Sequence, residues 1–149
     1  MSNPIFYMLL ALVAGSMLPT QAATNNKMAM VVGSPILSAF ISFFVGTIAL
    51  FVYVIASGTP LGSIATAKDA PTIAWIGGLL GAFFVTVAVT LVPRLGVAMT
   101  FSLIIAGQMI VTLVIDHFGL LGVPEKEISL ARIGGILLIT LGVVVIRRF

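Results

Sequence analysis

Cysteine is absent and histidine occurs once. Disulfides, thiol nucleophiles and thiolate metal sites are thereby excluded, although the absence of cysteine says nothing about compartment. Charge is scarce too: 60% of the 149 residues are hydrophobic and 7% are charged, where a soluble domain carries roughly a quarter. So apolar a chain has more hydrophobic surface than one water-facing core can hide, and its solvent must be lipid. Among the basic side chains only Arg147 and Arg148 are adjacent. Nucleic acid therefore has no clustered basic surface to bind, and the terminal arginines read as a membrane-interface anchor. No G-x-S-x-G, no H-E-x-x-H and no glycine-rich phosphate loop with its lysine occurs. Without a nucleophile–base pair at depth, no enzyme is expected, and nothing calls for a metal or a cofactor.

What is present is long hydrocarbon. Charge-free runs cover residues 1–26, 28–67, 70–93 and 95–115, and a bilayer-spanning helix needs about 20 residues. Five spans are expected, at about 4–30, 36–56, 72–92, 96–115 and 128–146. The third should end at Pro93. Long apolar runs without period-two alternation exclude a barrel. The fold class is therefore all-α, an integral membrane bundle of five transmembrane helices in a single domain, 1–149. The stretch "LLALVAGSMLPTQAAT" has the length of a signal-peptide core, but "MSNP" before it holds no lysine or arginine, so an uncleaved first helix is expected.

With five spans the termini lie on opposite sides of the membrane. Lys27, Arg94, Arg147 and Arg148 fall on the C-terminal side, and Lys68, Lys126 and Arg132 on the N-terminal side. Four against three favours N-out, C-in by the positive-inside rule. So even a count also leaves room for insertion in both orientations. Arg132, one turn into the last span, is expected to snorkel its head group to the interface.

Polar side chains inside the spans carry the functional reading. Apolar burial drives no association between helices in lipid, so packing and polar contacts must do it. Small residues four apart, Ala11 and Gly15, Ser38 and Ser42, Gly77 and Gly81, read as helix seams, as do Gly135 and Gly142 at seven. Gln21 and Asn25 share a face of the first helix just after Pro19, which removes a backbone hydrogen bond and can kink the helix. Gln108, Thr112 and Asp116 form a stripe about 80° wide on the fourth span, and Thr86 with Thr90 forms a pair on the third. An amide turned to lipid leaves its hydrogen-bonding sites unmet. Two readings stay open: polar fastening of helix to helix, and the lining of a wet cavity. The cavity reading is favoured for Gln21, Asn25 and Gln108. Asp116 and His117 lie at a membrane boundary and point about 100° apart as helix neighbours. They read as an interfacial helix end or, alternatively, as a coupling site. Lys27 either snorkels or attracts an anionic solute.

The segments "LPTQAATNNKM", "SFFVGTIAL", "PRLGVAMTFSLIIAGQMIVTLVIDHFGLLGVP" and "RIGGILLITLGVVVI" resemble the five-helix, YdcZ-like branch of the drug/metabolite transporter (DMT) superfamily of bacterial inner-membrane proteins. The most specific part is Ala106 to Gly122. The resemblance implies one DMT-type (EamA-like) repeat unit and a secondary transporter, or transporter subunit, for a small organic solute. Larger superfamily members pair two such repeats in opposite orientation, which makes alternating access possible. The expected partners are thus membrane lipid, a small-molecule solute, and a second copy or a related five-helix chain. Where the small multidrug branch has a glutamate in its first helix, this chain offers Gln21 and Asn25, so cation/proton antiport is not carried over. Gln21, Asn25, Gln108, Thr86 and Thr90 are the substrate-binding candidates. The alternative is a non-transporting assembly subunit that pairs with another membrane protein.

Overall fold

A computed structural model of the chain describes residues 3–148. It is all-helical among those residues, with five helices long and apolar enough to cross a bilayer. Helix α1 spans Pro4–Val32, α2 Pro35–Ala56, α3 Ile76–Leu95, α4 Val97–His117 and α5 Leu130–Arg148. The chain divides into two compact units, Met1–Pro93 and Arg94–Phe149.

In the first unit, local chemistry dictates a tight hairpin. The Asn3 side chain accepts the Ile5 N–H at 3.0 Å and caps α1, with Pro4 at the first helical position, where no N–H is missed. Gly33 ends the helix in the left-handed conformation (φ 70°) that costs other residues a steric penalty. Ser34 then caps α2, its hydroxyl accepting the Leu37 N–H at 3.3 Å, and Pro35 opens the helix. A two-residue connection therefore turns the chain back on itself. Ala29 of α1, Ala39 of α2, and Val85 and Val89 of α3 form one buried cluster, with Phe84 packed against it. Gly81 of α3 admits the Phe43 ring, which lies 3.4 Å from where a Cβ would stand.

The second unit is the α4–α5 pair and its connection. Asp116, at the end of α4, accepts the Lys126 N–H on its main-chain oxygen at 2.8 Å. His117 Nδ1 accepts the Ile128 N–H at 3.4 Å. The connection is thus fastened at both residues.

Element boundaries differ from the expectation in one instructive place. Instead of ending at Pro93, α3 runs on to Leu95. A proline loses its own bond to the carbonyl four residues back and crowds that carbonyl, but two residues from the end only the last turn has to accommodate it. The third span opens with a 3-10 turn, Thr72–Trp75, before the α-helix proper.

The long first helix is packed unevenly. From Pro4 to Leu18 every residue is exposed, whereas Ala22, Asn25 and Ala29 are buried. At 1.5 Å per residue its 29 residues span about 43 Å, more than the ~30 Å hydrocarbon core. The helix must tilt or project into the head groups.

Candidate functional site

Two grooves carry polar groups, one in each unit. The first lies between α1 and α2. Met17, Leu18, Thr20, Gln21, Thr24, Asn25 and Ser42 line a space of about 510 Å³. Thr24, Asn25 and Ser42 also line an adjoining space of about 230 Å³, with Met28, Ser38, Ile41 and Val45. The i, i+4 spacing of Gln21 and Asn25 puts both on this face, as the sequence suggested. They differ in setting: Gln21 is exposed and Asn25 is 8% exposed.

The hydroxyls of this wall have largely spent their protons. Thr20 donates to the Ser16 carbonyl at 2.9 Å and Thr24 to the Gln21 carbonyl at 2.9 Å. Ser38 is fully buried and donates to the Asn25 main-chain carbonyl at 2.6 Å, joining α2 to α1. The Asn25 side-chain Nδ2 has no hydrogen-bond partner among the described residues. An unpaired buried donor costs about 1–3 kcal/mol, and native proteins rarely keep one without a use.

The other substrate-binding candidates are placed differently. Thr86 and Thr90 sit half-buried on α3, donating to the Ala82 and Thr86 carbonyls at 2.8 and 2.7 Å. This back-bonding leaves their lone pairs, not their protons, for a ligand. Gln108 is exposed on α4.

The second groove lies between α4 and α5. Met109, Thr112, Leu113, Arg132, Gly135, Ile136 and Ile139 line about 230 Å³. Ser102, Ile105, Ile139, Gly142, Val143 and Ile146 line a further 250 Å³ or so. Gln108 lines neither segment, whereas Thr112, one turn on, does. At the head of the groove Arg132 forms an ion pair with Asp116 and donates to the Lys126 carbonyl at 3.1 Å. Its side chain is 33% exposed and that of Asp116 is 23% exposed.

Arg132, one turn into α5, turns to α4 and pairs there with Asp116. Asp116 and His117 are both engaged, the first by Arg132 and the second by the Ile128 amide. Sequence reasoning passed over Arg132 as a site residue. The available signal was that Asp116 and Arg132 flank one short connection and so emerge on the same membrane face.

A family model described as "Putative inner membrane exporter, YdcZ" matches residues 6–145, nearly the whole chain. No curated protein and no solved structure matches it. The family description points to a membrane transporter, in keeping with the five membrane-length helices. The chain belongs to the DMT-type YdcZ family and is a multi-pass protein of the inner membrane.

Proposed function

We propose that the protein exports a small organic solute, working as a dimer by alternating access, with the α1–α2 groove as its solute site. The observation that carries this reading is the buried Asn25 amide, unpaired beside a groove that also holds Gln21, Thr24 and Ser42. Neutral amides and hydroxyls suit a neutral or zwitterionic solute, bound through hydrogen bonds that change partners as the helices rock. Thr86 and Thr90, half-buried on α3 of the same unit, are assigned to the same pathway. A single repeat needs a second to supply the opposite orientation, from another copy or from a related five-helix chain. Ion coupling at Asp116 or His117 would require the Arg132 pair or the Ile128 contact to open first.

The test compares solutes released into the medium by cells expressing the wild type, Gln21→Leu or Asn25→Leu at equal membrane abundance. At least one solute is expected to accumulate outside with the wild type and to fall to background with each variant. Release unchanged in both variants would overturn the site assignment. No solute released by the wild type would favour the non-transporting assembly subunit.

A further inference from the structure

The Arg132 guanidinium makes two protein contacts, to the Asp116 carboxylate and the Lys126 carbonyl. A guanidinium carries five N–H donors, so three are left without an acceptor among the described residues. Arg132 is the third residue of α5, at the membrane-face end of the helix. Below it the groove is almost wholly apolar, and its two segments share Ile139. From Arg132 to Ile146 the helix axis runs about 21 Å at 1.5 Å per residue, deep into the hydrocarbon. A Cβ added at Gly135 or Gly142 would meet nothing within 4 Å. Those glycines leave the floor of the groove open instead of drawing α4 into close contact.

We infer that this groove binds one phospholipid, its phosphate on Arg132 and one acyl chain along the α4–α5 seam. The unmet donors, rather than net charge, which Asp116 already offsets, select this occupant. Spare donors on a forked cation match the oxygens of a phosphate, which the fork can take in pairs. The head sits at the depth of lipid head groups, and the apolar trough runs in the direction of their chains. A helix from a partner chain would match the trough but would leave the three donors unmet. Asp116 competes for the same fork, so the lipid is held in exchange with an internal carboxylate. This groove is separate from the solute site, and the inference stands whether or not the exporter reading holds.

The experiment titrates purified protein in a maltoside detergent with dioleoyl phosphatidylglycerol. The thermal unfolding midpoint and the lipid retained in native mass spectra are followed together. Dioleoylglycerol supplies the chains without the phosphate, and glycerol 3-phosphate the phosphate without the chains. A saturable rise in midpoint with one retained lipid is expected, which neither fragment reproduces. Arg132→Gln should abolish it. Gly135→Leu, which fills open space away from the charged head, should weaken it strongly. Asp116→Asn removes the competing anion and should tighten binding about tenfold, the order of effect of one nearby unit charge. A merely structural ion pair predicts that Asp116→Asn lowers stability and leaves the lipid response unchanged. That result, or a response that survives Arg132→Gln, overturns the inference. Equal stabilisation by dioleoylglycerol or by glycerol 3-phosphate overturns it too, as non-specific greasiness or a free-anion site respectively.

Discussion

The Ser38 hydroxyl reaches across from α2 and donates to the Asn25 main-chain carbonyl at 2.6 Å, at a point where Ser38 has no exposed surface. This bond ties the hairpin together beside the proposed solute site. Polar contacts between helices in lipid are worth about 0.6–1.7 kcal/mol. Ser38→Ala should therefore lower the unfolding midpoint of the solubilised protein modestly. Ser38→Leu removes the same bond and forces a larger side chain into a fully buried position, and should cost about 1–3 kcal/mol. Equal stability of the leucine variant and the wild type would contradict the packing described here.

Asn25 itself should show stability and function moving in opposite directions. Its Nδ2 is buried without a partner, and replacing such a group by an apolar one of similar shape removes a penalty of about 1–3 kcal/mol. Asn25→Leu is thus expected to unfold at a higher temperature than the wild type while losing export. A variant that is both less stable and inactive would point to a structural role for the amide. Thermal unfolding followed by circular dichroism, alongside the solute-release assay, separates the two.

Two glycines should respond unequally to the same substitution. Gly33 ends α1 at φ 70°, ψ 12°, a left-handed conformation that asparagine tolerates. Gly96, the single residue between α3 and α4, sits at φ 78°, ψ 163°, a region open essentially to glycine alone. Gly33→Asn should leave expression and the midpoint nearly unchanged. Gly96→Asn should cost about 1–3 kcal/mol, read as a lower midpoint or a lower yield of folded protein. Space is not the cause, since a Cβ at either position would meet nothing within 4 Å.

How far these features were legible beforehand depended on their range. The five spans follow from length and composition, because lipid leaves a charge-free run of this length little choice but helix. The turn at Gly33, Ser34 and Pro35 follows from capping chemistry. The shared face of Gln21 and Asn25 follows from helical period. Contacts between helices do not follow from any of these. Flanking one short connection brings Arg132 and Asp116 to the same membrane face, but whether they meet, like Ser38 and Asn25, is decided by the rotation of each helix about its axis. The small-residue seams show the same limit. Gly81 does receive Phe43, while Gly15, Gly77, Gly135 and Gly142 face open space within the chain. Small side chains permit close approach, but a partner surface must be present to use it. The threonines of α3 were ambiguous for another reason, since a helical hydroxyl can always satisfy itself on its own backbone, as Thr86 and Thr90 do.

Orientation in the membrane is the property on which pairing depends. The count is four basic residues on the C-terminal side against three on the N-terminal side, and the rule weighs lysine and arginine near span ends. Without native cysteine, single cysteines at Ser2 and Phe149, which lie outside the described residues, can be labelled selectively from outside intact cells. Ser2→Cys is expected to react in the larger share of molecules. Replacing Arg94 and Arg147 by glutamine takes the C-terminal side from four to two against an unchanged three. The preference should then reverse, with Phe149→Cys becoming the more reactive site. Comparable labelling at both ends of the wild type would mean that both orientations coexist, and an antiparallel homodimer would supply the second repeat. Exclusive labelling of Ser2→Cys would assign the opposite orientation to a related partner chain. Labelling unmoved by the two arginine changes would show that something other than this charge count sets the topology.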